Sequence, residues 1–193
     1  MQIAAAETGE KKKKSITAKG KGTIKTVFRF LIGVFLASCV FVAIFRVALT
    51  LNIIPSESML ETLKVGDIVV GSRWDRKNIS RYDIVTFHPP DKPQFLYIKR
   101  VIGLPGETIE VRDGNVYADG KKLDRSFINN GEQGPSGDGI YHVPEGHYFM
   151  MGDNRDFSED SRFWKKRYVP AESIVCKAKW IVFPFDDISS LKH

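Results

Sequence analysis

The amino-acid sequence predicts a mainly β fold, in which one transmembrane helix precedes an antiparallel β-sheet domain. The first observation is a single long apolar run near the N-terminus, which ends close to Leu51. The second is a change of pattern from Asp67 onward, where short runs rich in Val, Ile, Tyr and Phe alternate with Gly, Pro, Asn and Asp. The third is size, because 193 residues with 42% hydrophobic content can bury one sizeable core without a second domain.

The N-terminal segment, residues 1–26, is polar and lysine-rich and has few large apolar side chains. Such a segment cannot bury enough apolar surface to offset its loss of conformational entropy, so we expect a disordered tail. Residues 1–29 carry eight basic and two acidic residues, which accounts for the net charge of +6. The charge therefore predicts a cytoplasmic N-terminus, and no nucleic-acid partner is expected.

The apolar run from Phe30 to Phe45 contains no charge, and it continues to Leu51 because the side chain of Arg46 can extend to the interface. At about 1.5 Å per residue it spans roughly 33 Å, enough to cross a bilayer core. A cleavable signal would be followed by small residues, and the residues at the exit of this run are large. A buried core helix would show a polar face, which the run lacks. We predict an uncleaved anchor over residues 27–52.

Seven strands are predicted in a domain that covers residues 53–186, with residues 187–193 as a C-terminal tail. They are Asp67–Ser72, Tyr82–His88, Phe95–Ile102, Thr108–Arg112, Asn115–Ala118, His147–Met151 and Ile174–Phe183. The dipeptides Asp113-Gly114 and Asp119-Gly120 are typical of hairpin turns, since both positions tolerate a positive φ.

Two further features concern the turns and the thiols. Leu104-Pro105-Gly106 suits a turn with glycine at positive φ, and Asn129–Gly139 is rich in glycine and is expected to be a mobile loop. Cys39 lies in the apolar run and Cys176 in a predicted strand, so a bridge would have to join bilayer and domain. Both are therefore predicted to be free thiols.

The first candidate functional segment, Pro55-Ser56-Glu57-Ser58-Met59, lies where the apolar run ends and the domain begins. By itself it is typical of a turn. A serine hydroxyl is a poor nucleophile unless a base removes its proton, and the usual base is histidine. The histidines lie in no recognisable nucleophile or metal motif, so each is expected at the surface or at a strand end. They are His88, His142, His147 and His193.

The second segment, Tyr97-Ile98-Lys99-Arg100, contains a lysine that could serve as a base if it were neutral. Its pKa would have to fall by roughly 3 units, which burial among apolar groups can supply. Strand alternation places Tyr97 and Val101 on the face of Lys99 and Arg100 on the other. The segment alone leaves open whether that face is buried or faces solvent.

The third segment, Gly152–Arg162, is dense in Asp, Asn and Ser and could be a calcium loop. The spacing excludes this, because counting from Asp153 puts Arg155 and Phe157 at ligand positions. No metal site and no cofactor are predicted.

Together the three segments resemble the type I signal peptidases, membrane-anchored Ser/Lys endopeptidases that cut signal peptides from exported proteins. The resemblance implies that Ser58 is the nucleophile and Lys99 the general base. It also implies that the Ser56 hydroxyl and the Ser58 backbone N–H form the oxyanion hole, and that Ser158 hydrogen-bonds and orients the lysine.

The resemblance implies structural support from an Asp160 and Arg162 pair, and from Arg100 and Tyr97 beside the lysine. The position of Ser161, three residues after Ser158, leaves it open as an alternative partner of the lysine.

The substrate implied is an extended signal-peptide segment, with small residues one and three places before the cut, paired along Ile53–Met59 and Gln94–Lys99. The partners implied are preprotein signal peptides, membrane lipid and the protein-export machinery. The implied location is the cell membrane or an equivalent organelle membrane, crossed once, with the catalytic domain on the exported side.

The likeness runs from the anchor to about Phe183, with three departures from the family pattern. Glu61 occupies the position, two residues after Met59, where the family usually has proline. Lys165 replaces the glycine that usually follows the tryptophan, and Cys176 replaces a glycine. Two other classes remain open: a soluble Ser/Lys self-cleaving regulator, which would carry a DNA-binding segment, and a non-catalytic membrane-anchored β module.

Overall fold

The structure is a computed structural model that describes residues 3–60, 62–128 and 137–191. The chain divides into two compact units, Met1–Val47 and Ala48–His193. Most of the predicted loop Asn129–Gly139 lies outside the described residues, as do Glu61 and His193.

The first unit is one helix, α1, over Ile3–Ala48. Its part from Lys25 to Ala48 is long and apolar enough to cross a bilayer, by length and composition. The helix also covers most of residues 1–26, which corrects the prediction of a disordered tail. That segment contains seven lysines and four alanines, which have high helix propensity, and it has no proline.

The second unit begins with a strand that the sequence analysis assigned to the anchor. Leu49–Ile53 forms β1, which pairs antiparallel with Ile68–Ser72 from Leu49 opposite Ser72 to Ile53 opposite Ile68. The helix therefore ends at Ala48, and the predicted anchor over residues 27–52 is too long at its C-terminal end. A continuous apolar run fits helix and strand equally well, and only the pairing partner distinguishes them.

The remaining described strands follow in chain order. They are β2 (Ile68–Ser72), β3 (Ile84–Phe87), β4 (Tyr97–Gly103), β5 (Thr108–Arg112), β6 (Asn115–Ala118), β7 (Lys121–Lys122), β8 (Gly139–His142), β9 (His147–Met151), β10 (Val169–Pro170), β11 (Ile174–Phe183) and β12 (Ser189–Ser190). They form an eight-stranded sheet in the order β1-β2-β11-β3-β4-β9-β10, with β12 paired to β11, and a four-stranded sheet in the order β7-β6-β5-β8. The pairs between described strands are antiparallel, which confirms the predicted fold class.

The four-stranded sheet is built on the two predicted hairpins. Asp113 and Gly114 have φ of 48° and 70°, and Asp119 and Gly120 have φ of 48° and 76°. Positive φ at both central residues matches the right-handed twist of the flanking strands, so each turn joins neighbouring strands directly. Gly106 has φ of 83°, as its predicted turn requires.

The C-terminal residues differ from the predicted tail over 187–193. Ser189–Ser190 pairs with β11, and the side chain of Leu191 packs against a core cluster of the large sheet. Asp187 forms an ion pair with Lys64 at 2.7 Å. This stretch therefore belongs to the domain, because β11 continues past Lys177, where its pairing with β3 ends, and β12 pairs with Trp180 and Ile181 on the edge opposite β2.

The large sheet packs a different core on each face of β4. Ile98 lies in a cluster with Ile54 and Met59. Tyr97 packs against the cluster of the opposite face, which contains Val101 and Trp164. The period of two along a strand produces this division.

The cysteines Cys39 and Cys176 are free thiols, as predicted. The Cys176 sulfur lies 2.9 Å from Thr50 Oγ1 and 2.7 Å from Thr86 Oγ1. Gly71 lies beside this contact, and a side chain there would overlap the sulfur. The departure at Cys176 is thus accommodated by polar neighbours and by a glycine.

Candidate active site

Ser58 lies in a single 3₁₀ turn, Glu57–Met59, that follows β1. The turn is fixed by apolar anchors on both sides, because Ile54 and Met59 are buried in the same cluster. Its C-terminal end is also held by the backbone, since Leu63 N–H donates to the Met59 carbonyl at 2.8 Å. Ser58 itself is 7% exposed, so its hydroxyl is presented from a nearly closed position.

Lys99 lies on β4 with Val101 on its own face, and its side chain is buried. Its Nζ donates to Ser58 Oγ at 2.5 Å and to the Ile98 carbonyl at 3.1 Å. Burial lowers the pKa of Lys99 to about 8, while the carboxylates of Asp160 and Asp153 act in the opposite direction. The question that the sequence leaves open is therefore answered: the face of Lys99 is buried.

Ser158 lies close to both the turn and the end of β9, but the hydrogen bond predicted between its hydroxyl and Lys99 is not formed. Among buried side-chain polar atoms in the described parts of the chain, Ser158 Oγ has no hydrogen-bond partner. A side chain on Gly152 would overlap both this Oγ and the Ser58 carbonyl oxygen. Glycine at 152 therefore permits the close approach of the two serines, and Lys99 bonds Ser58 instead.

The alternative serine, Ser161, makes a different contact. Its Oγ accepts the Met150 N–H at 2.9 Å and its own N–H donates to the Met150 carbonyl at 3.1 Å. Ser161 thus pairs with Met150 at the edge of β9, as a residue of a neighbouring strand would. Its position leaves it engaged with the backbone rather than with Lys99.

Asp160 and Arg162 form the predicted pair. Arg162 Nε lies 2.8 Å and Nη2 2.9 Å from the two carboxylate oxygens, and both side chains are buried. Asp160 also accepts the Gly152 N–H at 3.0 Å. The pair therefore fixes the chain at the end of β9, next to Ser58.

Arg100 and Asp153 form a second buried pair, of which only the arginine was predicted as a site residue. Arg100 Nη2 and Nε lie 2.6 and 2.8 Å from the Asp153 carboxylate, and Thr62 Oγ1 donates to it at 2.6 Å. The Arg100 guanidinium also stacks on Phe127, 4.1 Å from the ring centroid. Two segments adjoining Ser58 and Lys99 are joined in this way.

Asn154 is a site residue that sequence reasoning missed. Its N–H donates to the Ser58 carbonyl at 3.2 Å and its side-chain amide donates to the Glu57 carbonyl at 3.1 Å. It therefore holds the main chain of the 3₁₀ turn directly. The only signal for this role in the sequence is its place beside Asp153 in the polar third segment.

Ser56 lies at the entrance of the site and is exposed. Its Oγ is 3.3 Å from Ser58 Oγ. The N-terminal part of β4 lies nearby with one edge free: β3 pairs with Tyr97 to Arg100, whereas the register with β9 begins at Arg100. An extended peptide can pair along this free edge, which belongs to the predicted segment Gln94–Lys99.

The three histidines that the structure describes take no part in this cluster. His88 and His147 each hold a backbone carbonyl through Nδ1, and His142 bonds Thr108. Over residues 25–60, 62–128 and 137–191, no group of three or more His, Cys, Asp or Glu side chains could hold a metal ion. What the arrangement offers is a serine hydroxyl in contact with a buried amine, which suits nucleophilic catalysis.

Comparison with known proteins gives a consistent result. The profile of the family described as "Signal peptidase, peptidase S26" matches residues 25–183. A Synechocystis protein named "Probable signal peptidase I-1" is 39% identical over 142 residues, covering 68% of this chain and 69% of that protein. Signal peptidase I of Leptolyngbya laminosa is 38% identical over 150 residues, covering 72% of this chain and 70% of that protein.

One solved structure gives a weaker overlap. The crystal structure of a signal peptidase I from Enterococcus faecalis V583 superposes with a TM-score of 0.45 at 32% identity, over 51% of this chain and 95% of that one.

Proposed function

Since this chain belongs to the signal peptidase S26 family and is a serine endopeptidase, we propose that Ser58 is its nucleophile and Lys99 its general base in removing signal peptides from exported preproteins. The observation that carries the proposal is the 2.5 Å contact between Ser58 Oγ and the buried Lys99 Nζ. A serine needs a neighbouring base, and a desolvated lysine can be that base near neutral pH.

The first step requires Lys99 in its neutral form. The amine takes the proton of the Ser58 hydroxyl while Oγ attacks the carbonyl carbon of the scissile peptide bond. The carbonyl π electrons move to oxygen and give a tetrahedral oxyanion. The Lys99 ammonium then gives its proton to the leaving nitrogen, the C–N bond breaks, and an ester to Ser58 remains.

The second half of the reaction repeats this chemistry with water. Lys99 takes a proton from a water molecule, whose oxygen attacks the ester carbonyl. Collapse of the second tetrahedral intermediate returns the proton to Ser58 Oγ and releases the new carboxyl end of the signal peptide. Two smaller barriers replace one large barrier.

We assign the oxyanion hole to the Ser58 N–H and the Ser56 hydroxyl. The 3.3 Å separation of the two serine Oγ atoms supports this, since a donor must reach the oxygen that develops charge beside the nucleophile. The exposed position of Ser56 leaves its hydroxyl free to turn toward a bound substrate.

We assign Ser158 to hold Lys99 when Ser58 is engaged with substrate. Its buried hydroxyl lacks a partner, and burying such a group without a hydrogen bond costs about 1–3 kcal/mol. If the Lys99 amine moved from Ser58 toward Ser158, it would give the Ser158 hydroxyl a hydrogen-bond partner. The pairs Arg100–Asp153 and Asp160–Arg162 then act as positioning groups, as does the Tyr97 ring, 5.8 Å from Lys99 Nζ.

The substrate proposed is an extended segment paired along the free edge of β4 and along Ile53–Met59. The apolar cluster of Ile54, Met59 and Ile98 lies on one face of that edge. Shallow apolar pockets there would accept small side chains one and three places before the cut.

The proposed location is a membrane crossed once by α1, with its N-terminal side in the cytoplasm and the second unit on the exported side. The lysines before the apolar run support this orientation. Membrane lipid and the protein-export machinery are the proposed partners besides the signal peptide. Protease added to intact cells should degrade the second unit; its protection would contradict the orientation.

The proposed function is tested with the full chain in detergent and a signal-bearing precursor. Mass spectrometry should find a single cut after a small residue, and Ser58→Ala should remove the activity while leaving the melting temperature of the protein nearly unchanged. A folded wild-type chain that leaves precursors uncut would contradict the proposal.

A further inference from the structure

A groove of about 360 Å³ lies next to the candidate site, and the proposed reaction does not use it. Its apolar walls are Pro89, Tyr97, Phe163 and Trp164. It borders the site through Tyr97, whose ring centroid is 5.8 Å from Lys99 Nζ. A substrate bound at Ser58 would therefore pass beside this groove.

The groove is preformed, because both of its sides are held by the protein. Asp91 accepts the backbone N–H of Lys165 at 2.8 Å and that of Lys166 at 3.2 Å, which ties the chain after Trp164 to the loop after β3. The Trp164 ring centroid is 6.1 Å from that of Tyr97. A pocket that exists before binding loses little entropy when a ligand enters.

The charges at the rim balance, which decides the chemistry of the occupant. Lys92 lies 3.4 Å from Glu159 in an exposed ion pair, and the lining also contains one further residue of each charge, Asp91 and Lys165. No single sign of charge dominates, so the groove offers a charged ligand little electrostatic attraction. Phe163, 41% exposed, instead offers aromatic surface that remains open to solvent until something covers it.

The two faces of β4 determine which substrate residue reaches the groove. An extended peptide beside the strand presents alternate side chains to opposite faces. The proposed function places the small residues one and three places before the cut against the Ile98 cluster, and the residue between them would then face the side of Tyr97. We propose that the groove binds a large apolar or aromatic side chain two places before the scissile bond, an inference that rests on the proposed function.

The test compares precursor peptides with alanine fixed one and three places before the cut and with Phe, Leu, Ser or Glu between them. For the wild-type chain, kcat/KM should be about tenfold higher with Phe than with Ser, because the ring leaves water on entering the groove. In Phe163→Ala this ratio should fall by about threefold or more. The residue is partly exposed, so its truncation opens no core, and Phe163→Leu should give an intermediate ratio.

Phe185→Ala is the matched control, since Phe185 is 76% exposed and lies away from the groove lining; its Phe to Ser ratio should equal that of the wild type. Equal wild-type rates for Phe and Ser would overturn the inference while the cleavage itself upholds the proposed function. A Phe163-dependent preference found only at the residue after the cut would also overturn it, because the groove would then serve the other half of the substrate.

Discussion

The two sheets each carry an ion pair, and the pairs differ in exposure. On the four-stranded sheet Arg112 and Glu110 lie 3.1 Å apart with side chains 59% and 34% exposed. Arg100 and Asp153, which join the eight-stranded sheet to the third segment, are 3% and 1% exposed. The exposed pair is screened by water and contributes little, whereas either half of the buried pair would be an uncompensated charge without the other. The large sheet thus buries a charged pair beside the candidate site, whereas the small sheet keeps its charged pair at the surface.

The largest expected effect is on the lysine that the large sheet buries. Lys99→Ala should lower kcat by about 10⁴-fold or more, because the serine loses its base. The double variant Ser58→Ala/Lys99→Ala should be no worse than either single variant, since the two residues act as a unit. The rates are measured on one precursor, and His142→Ala on the small sheet is the control. A folded Lys99→Ala chain of near-normal rate would remove the base assignment.

The contrast between the ion pairs is tested by neutralising one partner of each. Asp153→Asn should destabilise the domain by about 3–5 kcal/mol, because the Arg100 guanidinium stays buried without its counter-charge. Glu110→Gln should lower the free energy of unfolding by less than about 1 kcal/mol. Denaturant unfolding of both variants measures the difference. Equal losses of unfolding free energy in the two variants would mean that burial does not determine how much these ion pairs contribute to stability.

The pH dependence of catalysis follows from the burial of Lys99. Burial lowers its pKa to about 8, and the amine must be neutral to act. The value of kcat/KM should therefore rise with pH, by roughly 50-fold between pH 6 and pH 8, and level off above that. A profile of initial rates at low substrate concentration checks this. A rise that continues to the ordinary lysine pKa would show that the amine is not desolvated in the free enzyme.

The same burial predicts a gain in stability when the charge is removed. The folded chain binds fewer protons than the unfolded chain between the folded-state pKa of Lys99, about 8, and its ordinary value of 10.5, so wild-type stability should rise with pH across that window. Lys99→Met should be more stable than the wild type at pH 7, by about 1–3 kcal/mol. The difference in the free energy of unfolding between Lys99→Met and the wild type should become smaller as the pH rises from 8 to 10.5. A difference that stays constant over this range would rule out a buried ammonium as its cause.

The smallest effect belongs to the four-stranded sheet. Gly114 has φ of +70° and no neighbouring atom within 4 Å of an added Cβ, so Gly114→Ala introduces backbone strain without a clash. The expected loss is about 1 kcal/mol in the free energy of unfolding, with kcat unchanged. Thermal melting and the precursor assay measure the two quantities. A change in kcat would show that the small sheet influences the site after all.

Strands that pair locally in the chain were easier to predict from the sequence than strands whose partner is distant. The strands Thr108–Arg112 and Asn115–Ala118 were predicted with their observed bounds, because Asp113-Gly114 fixes the turn and the pairing is local. The strand β1 was missed, since an apolar run does not reveal where helix ends and strand begins without its distant partner β2. Val169–Pro170 was missed because proline argues against a strand, and here it lies in a two-residue outer strand of the sheet.

In the candidate site, alternation along β4 correctly placed Tyr97 and Val101 on the face of Lys99, because that depends only on the strand. Whether Lys99 was buried could not be predicted, since its side chain contacts the 3₁₀ turn that contains Ser58, 41 residues earlier in the chain. Asn154 was missed for the same reason, as its contacts are with a segment almost a hundred residues earlier. The predicted role of Ser158 remains a proposal, with an unpartnered hydroxyl as its support.

The separation of the contacting segments along the chain has a consequence for when the protease becomes active. Ser58 and Lys99 are 41 residues apart and Arg100 and Asp153 are 53 apart, so long loops must close before the site exists. Such contacts form late in folding, after local hairpins such as those of the small sheet. Until then Ser58 has no base, and the growing or partly unfolded chain cannot digest itself or its neighbours. Loss of structure therefore switches the protease off instead of releasing an unselective one.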